Sequence, residues 1–173
     1  MEVNSQEVPH SPWWMRVLVG RRPRRTLARV FILVLTSFVV FKFVLRPIRV
    51  TGISMEPTYH DGRVNFVNRM AYRFAEPQRG DVISIATTGQ SVMYMKRIIG
   101  LPGETIAIKA GVLMVNGEPV PEPYVKNRLP WEIDETLLKI DEYFVVGDNR
   151  GMDKSLHYGG VIKRGRIVGK VLF

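Results

Sequence analysis

The sequence of 173 residues contains no cysteine. This absence excludes a disulfide framework, a thiolate nucleophile and a cysteine-ligated metal. Histidine is also scarce: His10, His60 and His157 lie far apart, without the spacing typical of metal ligands. Neither a glycine-rich phosphate cradle nor a carboxylate-rich metal motif occurs in the sequence. We therefore expect the protein to use no metal and no other cofactor.

Long amphipathic helices are lacking from residues 46–173, a stretch long enough for one folded domain with its own core. Short β-branched runs separated by turn residues replace them, and Ala110-Gly111 and Asn116-Gly117 are typical of hairpin turns. The stretch Glu118–Lys139, rich in proline and charge, is interpreted as a surface excursion. The expected fold class is mostly β, with antiparallel sheets. The predicted strands are Arg63–Asn68, Asp81–Ala86, Val92–Ile99, Thr105–Ile108, Val112–Val115, Tyr143–Val146 and Ile167–Leu172.

The formal charge of +9 is unevenly distributed along the chain. Residues 1–45 carry seven Lys and Arg against two Glu, a net of +5, and residues 46–173 carry eighteen against fourteen acidic residues, a net of +4. A membrane explains this basic cluster better than a polyanion does. A nucleic-acid-binding function would rest on charge alone, so we expect no nucleic-acid partner.

One long apolar run, Leu27–Leu45, is the candidate membrane span. Nineteen helical residues extend about 28 Å, close to the ~30 Å thickness of the hydrocarbon core. Arg29 and Lys42 lie near its two ends, where their side chains can reach the headgroups. A cleavable signal peptide or a buried core helix is the alternative, but Arg46-Pro47-Ile48-Arg49 follows the run in place of a small-x-small cleavage site.

The flanks of this run predict its orientation. Trp13, Trp14 and five arginines precede it, against Arg46 and Arg49 directly after it, and this asymmetry is typical of an interfacial zone on the cytoplasmic side. We divide the chain into a basic cytoplasmic tail (1–26, of which 1–12 are expected to be disordered), a single-pass transmembrane anchor (27–45) and an exported catalytic β domain (46–173). The expected location is the cell membrane, with the β domain on its outer face.

The stretch Gly52-Ile53-Ser54-Met55-Glu56-Pro57-Thr58 is the candidate nucleophile site. Flanking glycine and proline allow a sharp and rigid bend, which exposes a hydroxyl beside backbone N–H donors. The alternative is an ordinary turn serine. The surroundings lack Gly-x-Ser-x-Gly, because Glu56 occupies the place of the second glycine.

Lys96 is the candidate general base for Ser54. On a strand it shares a face with Val92, Tyr94 and Ile98, and an apolar face lowers the pKa of an amine. A drop of about two units from the ordinary lysine pKa of ~10.4 leaves about 4 % of the amines neutral at pH 7, compared with less than one in a thousand without it. An exposed edge lysine is the alternative, and His157 is the alternative base.

These stretches together resemble the bacterial type I signal peptidases, membrane-anchored serine endopeptidases with a Ser/Lys dyad. Four motifs carry the resemblance in the family's order, behind an anchor: Ser54–Thr58, Arg79–Ile83, Met95–Glu104 and Gly147–Arg150. The resemblance implies that Ser54 attacks the scissile carbonyl, that Lys96 acts as general base and that the Ser54 N–H contributes to the oxyanion hole. It also implies a supporting ion pair between Arg97 and Asp148.

The chain departs from the family pattern at two places. Gly52 stands where some relatives carry a hydroxyl that helps to bind the oxyanion. Asp153 stands where relatives carry a serine that orients the lysine, and a carboxylate there would raise the lysine pKa. Either Ser155 or a local shift supplies the contact that orients the lysine, or the lysine pKa is set in a different way.

The resemblance implies cleavage of exported preproteins after a small-x-small sequence, so the expected partners are signal peptides and a lipid bilayer, with no obligatory protein subunit. A non-catalytic, membrane-tethered peptide-binding relative is the alternative, and Asp153 is the feature that favours it. A self-cleaving repressor-type regulator would be soluble and carry a DNA-binding helical module, and the sequence meets neither expectation.

Overall fold

A long apolar helix opens the described part of the chain. The structure is a computed structural model and describes residues 23–86 and 93–172. The chain divides into two compact units after Val40, and each is considered by itself. The first unit contains α1 (Pro23–Val39), and a π-helical turn, Val40–Val44, follows α1 in the chain. The predicted N-terminal apolar helix is confirmed, and its length and mean hydropathy of 2.2 over 24–44 suffice to cross a membrane.

The helix begins and ends at places that proline chemistry explains. Pro23 occupies the first helical position, where its fixed φ is favourable and its missing N–H is not needed. The prediction that Leu45 belongs to the helix is wrong, because Leu45 already starts a strand. Arg46 precedes Pro47, and a residue before proline is driven out of the helical region toward extended backbone.

Eleven strands follow in two antiparallel sheets among the described residues. In chain order they are β1 (Leu45–Arg49), β2 (Val64–Asn68), β3 (Val82–Ala86), β4 (Met93–Gly100), β5 (Thr105–Lys109), β6 (Val112–Val115), β7 (Glu118–Pro119), β8 (Ile133–Leu137), β9 (Glu142–Val146), β10 (Gly160–Lys163) and β11 (Ile167–Leu172). The larger sheet has the order β1-β2-β11-β3-β4-β9-β10 and the smaller β7-β6-β5-β8. Short 3₁₀ helices cover Lys154–Leu156 and Arg164–Arg166. The mostly β fold class is confirmed.

All seven predicted strands are present, with ends shifted by at most one residue. Val92 lies outside the described residues. Both predicted hairpin turns are confirmed: Ala110 and Gly111 have φ of 48° and 79°, and Asn116 and Gly117 have φ of 51° and 85°. Two consecutive positive φ angles are the requirement of a type I′ turn, which explains the preference for Asn-Gly there.

Four strands, β1, β7, β8 and β10, were not predicted, and the interpretation of 118–139 as a pure surface excursion is wrong. Each of the four is the edge strand of a sheet, so one side of its backbone is unpaired in the described structure. β1 contains Pro47 and β7 ends on Pro119. Proline and charge are the composition that edge strands tolerate and that central strands do not.

The core consists of three apolar clusters, and the one that contains Ile83, Ile98 and Val145 lies on the opposite face of the larger sheet from the other two. One cluster joins the two sheets and contains Ile99, Ile106, Ile108, Leu113, Val115, Trp131, Leu138, Phe144 and Val146. Another lies between the larger sheet and the loop that follows β1, and contains Val50, Met55, Tyr59, Val67, Val82, Met95 and Val171. The second cluster therefore fixes the loop that carries Ser54 on the sheet that carries Lys96.

Candidate active site

Residues 50–62 between β1 and β2, which we call the nucleophile loop because they carry the predicted nucleophile, hold Ser54 on a bent, hydrogen-bonded backbone. Gly52 adopts φ of +95°, a left-handed conformation that favours glycine, and its N–H donates to Asp61 Oδ1 at 2.8 Å. Met55 and Tyr59, with exposed fractions of 2 % and 3 %, anchor the loop in the core. Ser54 lies between Gly52, which is held by Asp61, and the buried Met55, and its side chain remains partly accessible.

Lys96 reaches Ser54 from the centre of the larger sheet. It lies on β4 opposite Ile83 of β3, and its exposed fraction is only 2 %. Its Nζ is 2.6 Å from Ser54 Oγ. The predicted apolar face is present in part, since Ile98 is fully buried and Tyr94 is partly buried. Desolvation by burial lowers the pKa of Lys96 to about 8, against the opposing charge of Asp148.

The loop Gly147–Arg150, directly after β9, braces the nucleophile loop. Asp148 accepts hydrogen bonds from Arg97 Nε and Nη2 at 2.8 and 2.6 Å and from Thr58 Oγ1 at 2.6 Å. The ion pair between Arg97 and Asp148 that the resemblance implies is thus confirmed. Asn149 adds two bonds: its N–H donates to Ser54 O at 3.1 Å and its Nδ2 to Ile53 O at 3.0 Å.

Gly147 makes the contact between these two loops possible. A Cβ atom at this position would lie 2.2 Å from the carbonyl oxygen of Ser54, far inside van der Waals contact. It would also lie 2.8 Å from the ring of His157. Any side chain larger than hydrogen would therefore displace the peptide of the nucleophile.

A buried carboxylate, Glu122, was missed by the sequence reasoning. Its exposed fraction is 3 %, and it accepts from Arg150 Nη2 at 2.5 Å and from the Tyr124 hydroxyl at 3.0 Å. Arg150, itself 2 % exposed, donates its Nε–H to Gly147 O at 2.9 Å. Glu122 thus stabilises the loop Gly147–Arg150 through its ion pair with Arg150. Nothing in a single sequence distinguishes it from the other acidic residues of 118–139.

The expected influence of Asp153 on the lysine is wrong. Asp153 is exposed, caps the short 3₁₀ helix Lys154–Leu156, and accepts from Ser155 N and Oγ at 2.8 and 2.7 Å. Neither Asp153 nor Ser155 bonds Lys96 in the described structure. Of the three possibilities left open by the sequence, the last is the one observed. Burial, and not a contact from Ser155, is the main cause of the lowered lysine pKa.

His157, the alternative base, does not contact the Ser54 hydroxyl. Its Nε2 lies 2.7 Å from Asn149 O, and its ring meets Trp131 edge-on with a centroid distance of 4.7 Å. Lys96 is the basic side chain that bonds Ser54 Oγ among the described residues. His60 is exposed on the nucleophile loop.

An open cleft of about 570 Å³ leads to the two residues. One wall is formed by residues 46–52 and the other by residues 93–96 of β4, and Ser54 and Lys96 lie between them. β4 pairs with β3 along Met93–Arg97, but its register with β9 begins only at Arg97. The first half of β4 therefore offers an unpaired backbone edge to an extended peptide.

Comparison with known proteins shows the family of this chain. Residues 24–173 match the model of a family described as signal peptidase, peptidase S26. The chain is 37% identical over 155 residues to signal peptidase I T of Bacillus subtilis (strain 168), a match that covers 83% of this chain and 80% of the relative. It is 31% identical over 154 residues to signal peptidase IB of Staphylococcus aureus (strain N315), covering 79% and 80%.

Among solved structures, a signal peptidase I from Enterococcus faecalis V583 is 29% identical with a TM-score of 0.46, and the match covers 56% of this chain and 97% of the other. The family match spans most of the chain, from α1 to the C-terminus, and includes all four motifs. The resemblance noted from the sequence is thereby confirmed. The chain belongs to the signal peptidase family, peptidase S26, a family of serine proteases.

Proposed function

We propose that this protein is a membrane-anchored serine endopeptidase that removes N-terminal signal peptides from exported preproteins, with Ser54 as nucleophile and Lys96 as general base. One observation carries the proposal: the Nζ of a buried lysine lies 2.6 Å from Ser54 Oγ. That distance is within reach for direct proton transfer. A non-catalytic relative has no need for a lysine that is desolvated against a serine hydroxyl.

The lowered pKa of Lys96 supplies the base. At a pKa of about 8, close to a tenth of the amines are neutral at pH 7, compared with fewer than one in a thousand at 10.5. The neutral Nζ accepts the proton of Ser54 Oγ as the oxygen forms its bond to the scissile carbonyl carbon. The carbonyl oxygen then carries the negative charge of a tetrahedral intermediate.

The oxyanion is stabilised by backbone donors of the nucleophile loop. The Ser54 N–H donates to no acceptor in the described part of the chain, so it is available. The Gly52 N–H is already engaged with Asp61 Oδ1, and Gly52 offers no hydroxyl. The hole therefore depends on the Ser54 N–H. The carbonyl of the same peptide group, Ile53 O, accepts from Asn149 Nδ2, and the carbonyl of Ser54 accepts from the Asn149 N–H.

Collapse of the intermediate breaks the peptide bond, and the Lys96 ammonium returns its proton to the leaving amine. The acyl group remains on Ser54 Oγ. Lys96, neutral again, accepts a proton from a water molecule that attacks the ester carbonyl, and the ammonium then protonates Ser54 Oγ as it leaves. The signal peptide departs with a new carboxylate, and the dyad is restored.

The cleft supports an extended substrate with small side chains. A peptide that adds to the open edge of Met93–Lys96 lies between β4 and residues 46–52. Successive side chains of an extended peptide point to opposite sides, so alternate residues face the enzyme. We propose that the residues at the first and third positions before the cut face the cleft and are small, which corresponds to small-x-small.

The apolar helix supports a location at the membrane. Its window 24–44 is long and apolar enough to span a bilayer, and five arginines precede Leu27, against Arg46 and Arg49 directly after Leu45. We propose a single pass with the N-terminus in the cytoplasm and the β domain outside. Anchoring in the bilayer that holds the preprotein raises the effective concentration of the substrate.

The activity is tested with the full chain in detergent micelles, a preprotein substrate and mass spectrometry of the products. Wild type is expected to cut after small-x-small, while Ser54→Ala and Lys96→Ala lose at least about 10³-fold in rate. Lys109→Ala, an exposed lysine paired with Glu135, is the matched control and retains the rate. Retained cleavage in Lys96→Ala would contradict the dyad, and a cut unaffected by leucine at the third position before it would contradict the specificity.

The absence of cysteine allows a direct test of orientation. Lys109→Cys places the only thiol of the chain on the exposed surface of the β domain. A membrane-impermeant maleimide is expected to label it in intact cells. Labelling only after permeabilisation would reverse the proposed topology.

A further inference from the structure

His157 lies half-buried beside the two loops of the site, and the mechanism above gives it no role. Its ring contacts Trp131 and packs against the backbone of Gly147, where a Cβ atom would lie 2.8 Å from Cε1 and 3.1 Å from Nδ1. The same Cβ atom would lie 2.2 Å from Ser54 O. The backbone of Gly147 therefore lies directly between the His157 ring and the carbonyl oxygen of Ser54.

The bonding of the ring fixes its tautomer. Nε2 lies 2.7 Å from the carbonyl oxygen of Asn149, which can only accept, so Nε2 carries a proton and donates it. Nδ1 is buried and has no hydrogen-bond partner among the residues that the structure describes. A proton on Nδ1 would therefore be a buried donor without an acceptor, which is unfavourable. The ring present in this arrangement is the neutral one.

Asn149 connects this ring to the nucleophile. Its N–H donates to Ser54 O at 3.1 Å, its Nδ2 donates to Ile53 O at 3.0 Å, and its carbonyl oxygen accepts from His157. These three bonds involve the backbone on both sides of the Asn149 Cα atom and its side chain. His157 thus fixes the residue that holds the nucleophile peptide.

The charges around the ring oppose its protonation. Burial is the first cause that lowers the pKa of His157, and the positive charges of Lys96 and Arg150 lower it further, while the bond to Asn149 O acts in the other direction. On the opposite side the ring lines a cavity of about 430 Å³ together with Glu132, Asp134 and Lys154. Because a proton on Nδ1 has no acceptor in the present arrangement, a protonated ring is expected to shift toward this cavity.

We propose that His157 is a positioning residue for the nucleophile: its neutral, Nε2-protonated ring fixes Asn149 and thereby the Ser54 peptide, and protonation of the ring releases this contact. The proposal rests on the proposed function for its catalytic consequence. It adds a second proton whose uptake lowers the rate, besides the one on Lys96.

Two variants separate the hydrogen bond of His157 from its titration. In His157→Gln the amide nitrogen keeps a donor in place of Nε2 but does not titrate, and in His157→Phe the ring remains without a donor. His60→Gln is the matched control, because His60 is exposed on the nucleophile loop. The assay is kcat/KM for preprotein cleavage from pH 5 to 9.

For wild type and His60→Gln, log kcat/KM is expected to rise with slope 1 as Lys96 loses its proton, and more steeply over about one pH unit where His157 also loses its proton, because release of the contact lowers the rate about tenfold. His157→Gln keeps slope 1 throughout and stays within about threefold of wild type at pH 8. His157→Phe also keeps slope 1 and loses about tenfold at pH 8, mainly in kcat, because one hydrogen bond is worth roughly 1 kcal/mol. A segment steeper than slope 1 in His157→Gln, or a wild-type rate at pH 8 in His157→Phe, would overturn the proposal.

A second measurement does not depend on cleavage. Hydrogen exchange of the Asn149 amide is expected to accelerate in His157→Phe but not in His157→Gln, and ¹⁵N spectra of wild type are expected to show Nε2 protonated and Nδ1 bare at pH 8. An unchanged exchange rate or the opposite tautomer refutes the role of His157. If these results hold in a chain that cleaves no preprotein, the proposed function fails and the contact between His157 and Asn149 stands.

Discussion

Replacement of Lys96 by methionine is expected to abolish cleavage and to stabilise the fold at the same time. Methionine is close to lysine in length and has no charge, so it fits the apolar site without its desolvation cost. Wild type buries this amine with an exposed fraction of 2 %, and its nearest opposite charge, Asp148, is already paired with Arg97. The lysine is therefore retained at the expense of stability.

The magnitude follows from the pKa. A lysine whose pKa falls from 10.5 to about 8 on folding destabilises the folded state by about 3 kcal/mol when it is protonated in both states. Loss of the bond between Nζ and Ser54 Oγ offsets about 1 kcal/mol of this gain. Lys96→Met is thus expected to raise the free energy of unfolding by about 2 kcal/mol at pH 7, or Tm by roughly 5–10 °C.

The sign of the pH dependence gives a second signature. The folded-state pKa is depressed, so between pH 8 and 10.5 the unfolded chain binds the proton and the folded chain does not. Wild type therefore gains stability as pH rises through this window, whereas the penalty is fully present below pH 8. The difference in Tm between Lys96→Met and wild type is expected to shrink over the same range.

The assay is thermal unfolding of the full chain in detergent, followed by circular dichroism at several pH values. Ser54→Ala is the control that removes activity and keeps the amine, and Lys109→Met is the control that removes an exposed lysine from its ion pair with Glu135, where less than about 1 kcal/mol is expected. If Lys96→Met is no more stable than these controls at pH 7, or if its advantage is independent of pH, the lysine is not desolvated as argued.

Three further substitutions test the surroundings of the dyad. Asp148→Asn removes the charge that opposes the low lysine pKa, so the acid limb of the kcat/KM profile is expected to move to lower pH, and an unmoved limb contradicts this. Gly147→Ala forces a carbon against Ser54 O and is expected to lower kcat at least tenfold, whereas wild-type kinetics would mean that the loops adjust freely. Glu122→Gln leaves the buried guanidinium of Arg150 without its counter-ion and is expected to lower the free energy of unfolding by about 3 kcal/mol, which urea titration measures.

The sequence predicts the central strands well because buried strands have a recognisable apolar composition. The run Val82–Ala86 and the run Tyr143–Val146 consist largely of apolar and β-branched residues, since both of their faces are covered. β8, with the sequence Ile-Asp-Glu-Thr-Leu, buries little and pairs on one side only. This segment is a strand because it pairs with β5, and no pattern within its own five residues indicates that pairing.

The two principal side chains of the site were predictable because each has a local reason for its properties. Ser54 lies on a bend that Gly52 permits, and Lys96 lies on a strand whose alternation places it among apolar residues. The direction of Asp153 was not predictable, because it depends on the hydrogen bonds that the carboxylate makes with Ser155. The expected effect of that carboxylate on the lysine pKa is absent because the Asp153 side chain is exposed to solvent.

The ion pair between Arg97 and Asp148 reconciles two demands on the same carboxylate. Asp148 must be buried and charged to hold Thr58 and Arg97, yet a bare carboxylate near Lys96 would favour the ammonium and remove the base. The Arg97 guanidinium binds both oxygens of Asp148 and so offsets part of its charge. Arg97 cannot itself protonate or deprotonate at working pH, so this compensation is constant at any protonation state of Lys96. The remaining charge of Asp148 raises the lysine pKa by less than burial lowers it, so the loop can be held by charge while the pKa of the amine stays low.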